Sequence, residues 1–208
     1  MPPTAARREP AREATKGERT RAAILDEALR LVSKAGLDDL TIGTLAEATG
    51  LSKSGLFAHF GSREDLLLAV LEHGQRQFTD VVLKPALAKQ RGVPRLRSMF
   101  TNWLDWTESA ELPGGCPMIG GAAEFDDKPG PVRDMLANGQ RAWIDTLKRA
   151  AQQAIDEGQL ARHADPEQLV FELFGIALVV HHHRRLLGYS KARARALEAL
   201  ERLLASRK

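Results

Sequence analysis

Between Thr41 and Phe60 two short helical patterns meet at Gly50-Leu51 with almost nothing between them, and no other stretch restricts the fold as tightly. Thr41 can cap the first pattern, while Ile42, Leu45 and Ala46 give it one apolar face on which the small Ala46 lets a second helix cross closely. Gly50 supplies the tight turn. Ser52 is placed to cap the second helix, Leu56 and Phe60 lie four apart on its buried face, and Lys53, Ser54, Phe57 and His59 fall on the others. Gly55 removes a side chain where a backbone could approach a duplex closely. The pattern is a helix-turn-helix, whose second helix commonly enters the major groove of DNA.

Both flanks extend the pattern. Ile24, Ala28, Leu31 and Ala35 form one stripe of a preceding helix, expected over residues 18–35 and ended by Gly36. Phe60-Gly-Ser-Arg-Glu-Asp-Leu66 forms a junction to a fourth helix, expected from Arg63 to Gly74 with Leu66, Leu67, Val70 and Leu71 inward. Over residues 18–74 the chain resembles the DNA-binding domain of the TetR family of bacterial transcription regulators. The resemblance implies a phosphate contact at the end of the second helix capped by Thr41, and base or phosphate contacts from Ser52, Lys53, Ser54 and Gly55 on the recognition helix. It also implies a backbone contact from His59, and for Arg63 either a phosphate contact or a role in steadying the domain. Phe57 stands where the family commonly has tyrosine, so a phenolic contact to phosphate is lost, and a thymine methyl or sugar contact takes its place.

Composition agrees with an all-α chain. Ala, Leu, Arg and Glu dominate, aromatics make up only 5%, and an apolar fraction of 43% is enough for a buried core. A net charge of +3 and a sequence pI near 9.2 suit a nucleic-acid partner without establishing one. Residues 1–17, rich in arginine and proline, are expected to form a flexible basic arm. One cysteine, no signal peptide and no apolar run of roughly 18 residues point to a cytoplasmic protein with no membrane partner.

Residues 75–208 read as a larger helical domain, bringing the chain to about nine helices. Gln75 to Lys89 reads as one helix, broken or bent near Pro85. The next, from about Pro94 to Ser109, carries Phe100, Trp103 and Leu104 on an apolar stripe. Together with Met118 and Phe125 on a short helix, Trp143 on a long one and Phe174 beyond, that stripe is either core or the wall of an effector cavity, as the resemblance allows. The last two helices have apolar residues on more than one face; Val170, Phe174, Ala177 and His181 on one and Leu197, Leu200 and Leu204 on the other are expected at a dimer interface.

Other candidate chemistry is weaker. His181-His182-His183 cannot converge on one ion, because adjacent helical residues point about 100° apart. Arg184 and Arg185 are expected to favour the negative end of their helix. Cys116 reads as a packed thiol, and Glu124, Asp126 and Asp127 as a solvated capping loop. Nothing calls for a cofactor or a resident metal, and no enzyme is expected. The sequence therefore predicts a homodimeric regulator, a repressor of a palindromic operator in double-stranded DNA, released by an unidentified small-molecule effector. A DNA-binding module without a ligand, or an all-helical enzyme using Cys116, the acidic loop or the histidines, is the alternative.

Overall fold

The computed structural model describes residues 15–208, so most of the expected basic arm lies outside the described residues. Its last residues are not an arm: Thr15 caps α1 (Lys16–Ala35), accepting from the Glu18 N–H at 3.2 Å while the Glu18 carboxylate accepts from the Thr15 N–H at 2.6 Å. That reciprocal pair starts the helix earlier than the apolar stripe alone suggests. The stripe is also turned, for Leu25, Leu29 and Val32 are buried while Leu31 is only partly covered and Ala35 is exposed.

The chain continues as α2 (Ile42–Thr49), α3 (Lys53–Phe60), α4 (Arg63–Phe78), a π-helical segment (Thr79–Leu83), α5 (Lys84–Leu87) and α6 (Val93–Thr107). It closes with α7 (Pro117–Phe125), α8 (Pro131–Asp156), α9 (Pro166–Arg185) and α10 (Ala192–Ala205). Among the described residues the fold is all-α, and one apolar core runs through it from α1 to α10.

Helix α4 does not stop at Gly74. It runs through the π-helical segment into α5 as one rod, with helical backbone at Thr79, Leu83 and Lys84, so that the described residues form nine separate rods. Pro85 accounts for the π turn. A proline has no N–H to donate and its ring pushes away the carbonyl four residues back; the preceding Lys84 N–H instead reaches the Thr79 carbonyl, five residues back. The rod continues past Pro85 without breaking.

Elsewhere the helix ends follow their local chemistry. Asp165 caps α9, accepting from the Glu167 and Gln168 N–H groups at 2.8 and 3.3 Å, with Pro166 in the first turn. Pro117 and Pro131 open α7 and α8 in the same way.

Candidate nucleic-acid interface and cavity

The α2–α3 pair is held by a few buried side chains and leaves the rest outside. Leu45 and Leu56 are fully buried and Ala46 and Phe60 nearly so, whereas Lys53, Ser54, Phe57 and His59 are exposed. Thr41 and Thr44 form a reciprocal cap on α2, the Thr44 N–H donating to Thr41 Oγ1 at 3.0 Å and the Thr41 N–H to Thr44 Oγ1 at 2.9 Å. Ser52 caps α3 by accepting from the Gly55 N–H at 3.1 Å. Gly50 makes the turn in the left-handed region, at φ 67°, where a side chain would be strained.

Electrostatics at this face favour an anion. Helix α3 contains no acid, and Lys53 and His59 have no ion-pair partner among the described residues. The Lys53 ammonium folds back over the first turn of α2, since a Cβ on Gly43 would lie 3.9 Å from its Nζ. A cation set beside the positive end of a helix is unfavourable until an anion arrives, and a phosphate satisfies both.

Arg63 stands apart from this group. Its Nε donates to the Leu40 carbonyl at 3.0 Å and its Nη2 to the Leu37 and Asp38 carbonyls at 3.2 and 2.7 Å, with the Asp38 carboxylate 3.7 Å away. The guanidinium ties α4 to the α1–α2 loop, an arrangement that fits the steadying role.

A second feature lies on the far side of α4. A partly enclosed cavity of about 210 Å³ is walled by Trp103, Trp143, Met118 and Phe174, four of the residues expected there. The rings pack in series: Phe78 meets Trp143 at 4.9 Å and 87°, Trp143 meets Trp103 at 5.7 Å and 80°, and Trp103 meets Phe174 at 5.3 Å and 48°. Phe100 and Leu104 do not reach it, because α6 is enclosed on most of its surface and they fill the core behind Trp103. Phe125 is also turned away, its ring lying 4.9 Å beneath the Lys128 ammonium. Gln75, Phe78 and Thr79 from the α4 rod and Gln140 and Thr146 from α8 were not anticipated. The three- and four-residue spacing of Gln75, Phe78 and Thr79 was the available signal.

The expected dimer residues need a similar correction. Val170, Ala177, Leu200 and Leu204 are at most 2% exposed within the single chain, and Phe174, His181 and Leu197 are partly covered by it. They belong to the stripe of α9 and α10 that packs inward. The outward stripe of α9 is Phe171, Leu178 and Val179, which are 74%, 40% and 51% exposed.

The α6–α7 loop joins the two halves. Ser33, in the last turn of α1, donates from Oγ to the Gly115 carbonyl at 2.9 Å and accepts from the Gly114 N–H at 2.8 Å. A Cβ on Gly114 would fall 1.4 Å from the Ser33 carbonyl oxygen, so only glycine lets the loop seat there. Two residues on, Cys116 lines the cavity; it is buried, and that burial pushes its thiol pKa upward, which suits a packed group. Glu124, expected in solvent, instead accepts from the Asp38 N–H at 2.9 Å, and Lys128 pairs with the Asp38 carboxylate.

The histidine run holds this loop too. His181 lies against Gly115, Arg184 pairs with Glu108 at 3.1 Å, and Arg185 donates to the Pro113 carbonyl at 3.2 Å. These arginines thus hold the loop and Glu108, where the sequence predicts only a dipole effect. No group of three or more metal-ligating side chains occurs among the described residues, and no helix there is long and apolar enough to cross a membrane.

An exposed, acid-free recognition helix on a capped helical pair, followed by a helical half, defines a helix-turn-helix DNA-binding protein. Residues 24–70 match the family described as "Bacterial regulatory proteins, tetR family", and residues 92–200 match "Tetracyclin repressor-like, C-terminal domain". The chain belongs to the TetR family and is a DNA-binding transcription regulator. It is 26% identical over 150 residues to the HTH-type transcriptional repressor ComR of Escherichia coli (strain K12), a match covering 72% of this chain and 71% of that protein. Its fold is similar to a TetR regulator from Chloroflexus aurantiacus J-10-fl at TM-score 0.83 and 24% identity, covering 92% of this chain and 97% of the other. It is also similar to AibR, solved with isovaleryl coenzyme A and operator DNA, at TM-score 0.68 and 24% identity, with 86% and 95% covered.

Proposed function

We propose that the chain represses transcription by binding a palindromic operator as a homodimer, and that a small molecule entering the aromatic cavity releases it. The observation that carries this reading is the α4 rod. Near the start of α4 Leu66 and Leu67 are buried in the helix-turn-helix core, and where α4 passes into the π-helical segment Gln75, Phe78 and Thr79 wall the cavity. At about 1.5 Å per residue, the 16 residues of α4 span about 24 Å.

A ligand that pushes on the far end would tilt the near end, and with it α3. It must bind the two arrangements unequally, or the operator equilibrium does not move. We take residue 74, within that rod, as the division between a reading domain and a sensing and pairing domain. In a two-fold dimer formed through the exposed α9 stripe, paired α3 helices would enter successive major grooves. Thr41, Ser52, Lys53, Ser54, Gly55, Phe57 and His59 would face the duplex, with Lys53 closing on a phosphate at the start of α2.

Selection of bound duplexes from a random pool, at a stated salt concentration, tests the operator reading. Enrichment of an inverted repeat is expected; enrichment of no motif by folded protein at low salt overturns it. Size measurement in solution should give a dimer, and a Phe171→Glu, Val179→Glu variant should give a monomer.

A further inference from the structure

Resting on the reading of the cavity as the effector site, we infer that its ligand is an uncharged aromatic compound of about one ring, carrying a hydroxyl or carbonyl group. The cavity wall contains no Asp, Glu, Lys, Arg or His. An ionised ligand would give up water there and meet no opposite charge, a loss that excludes carboxylates and phosphates from the cavity itself. Aromatic side chains can hold a cation when their faces surround it. Here the consecutive ring centroids are only 4.9 to 5.7 Å apart and two of the three pairs stand edge to face, so neighbouring rings occupy one another and leave no cage between them. A flat apolar guest continues that edge-to-face series.

Size points the same way. An apolar cavity of about 150 Å³ admits benzene, so about 210 Å³ takes one substituted ring.

The remaining polar groups define the substituent. Thr79 and Thr146 already donate their hydroxyl protons to the Gln75 and Ala142 carbonyls, at 2.8 and 2.7 Å, and the Gln140 amide donates to the Met118 carbonyl at 3.0 Å. The Gln75 side-chain amide makes no hydrogen bond among the described residues; it is the residue's backbone carbonyl that Thr79 engages. Gln75 lies over Gly139, where a Cβ would come within 2.6 Å of its Nε2, so the missing side chain at Gly139 makes room for this amide at the wall. An amide that both gives and accepts matches a hydroxyl or carbonyl oxygen on the ring.

Fluorescence titration of the full chain tests this, because Trp103 and Trp143 line the cavity. The probes are para-ethylphenol, para-ethylbenzoate, benzyltrimethylammonium, cyclohexanol and ethylbenzene at neutral pH. The phenol should bind more tightly than the benzoate and the ammonium by about tenfold or more, and more tightly than cyclohexanol. Gln75→Leu should weaken the phenol several-fold and leave ethylbenzene unchanged. Equal or tighter binding of either ion, equal binding of cyclohexanol, or no binding of any probe overturns the inference. Release of the selected operator is read separately: a phenol that binds but leaves operator affinity unchanged sinks the release mechanism while the ligand class stands.

Discussion

At the α2–α3 pair a handful of buried residues support side chains that are left exposed, whereas around the cavity the side chains support one another, Phe78 on Trp143, Trp143 on Trp103, Trp103 on Phe174. The first arrangement separates the scaffold from the contact. Leu56 holds α3 in place and Lys53 is left to meet a partner, so the two tasks sit on different residues. The second merges them, since the rings that would receive a ligand also complete the core. Substitution should therefore dissociate stability from binding on one side of α4 and couple them on the other.

The largest expected effect lies at the cavity. Trp143→Ala should cost about 4 kcal/mol in denaturant unfolding, as deletion of a buried aromatic does, while Phe57→Ala, 50% exposed on α3, should cost less than about 0.5 kcal/mol and still weaken operator binding. Comparable losses at the two positions would break the contrast. Next comes the seam between the halves. Gly114→Ala should cost about 3 kcal/mol, because it drives a methyl into the α1 backbone and displaces the Ser33 bonds. Gly120→Ala, with nothing within 4 Å of the new methyl, should instead stabilise α7 by about 0.5 kcal/mol.

Thr41→Ala should remove about 1 kcal/mol by uncapping α2, measured by thermal or denaturant melting. A pH effect is expected at the loop. Burial first, then the Arg185 and His182 charges, hold the His181 imidazole below its ordinary value of 6.5. The unfolded chain then takes up the proton before the folded one, so stability should be full above about pH 6.5 and decline as pH falls through that value. A His181→Asn variant should lose that part of the decline. The smallest change in stability belongs to Lys53→Ala, within about 0.5 kcal/mol, yet its salt dependence of operator binding should fall by a slope of about one. A full loss of fold at Lys53 would end the claim that this face is built of free contacts.

The reading motif was legible because each of its parts is local. Thr41, Gly50, Ser52 and the Leu56–Phe60 spacing all act within one or two turns, and they appear in the fold as the sequence predicts. Helix α9 was legible only as apolar on two faces. Which stripe packs inward depends on α8 and α10, and so Val170 and Ala177 were expected at a surface they do not reach. The cavity was half legible for a related reason. Its aromatic members stand out in the chain, but Gln75 and Gln140 become wall residues only because α4 packs alongside α8. The role of Glu124 was hidden in the same way, its partner lying 86 residues earlier.

The meeting of Ser33 with Gly114 also bears on how such proteins can be recombined. Two halves that look exchangeable, one with the recognition helix and one with the cavity, are fitted here with less than an atom's width to spare. A hybrid that joins the reading helices of one relative to the cavity of another must bring matching partners for both sides of that fit, a small hydroxyl residue at the end of the first helix and a bare backbone in the loop. Inheritance of the pair as a unit, more than similarity of the domains, would decide which hybrids fold and respond.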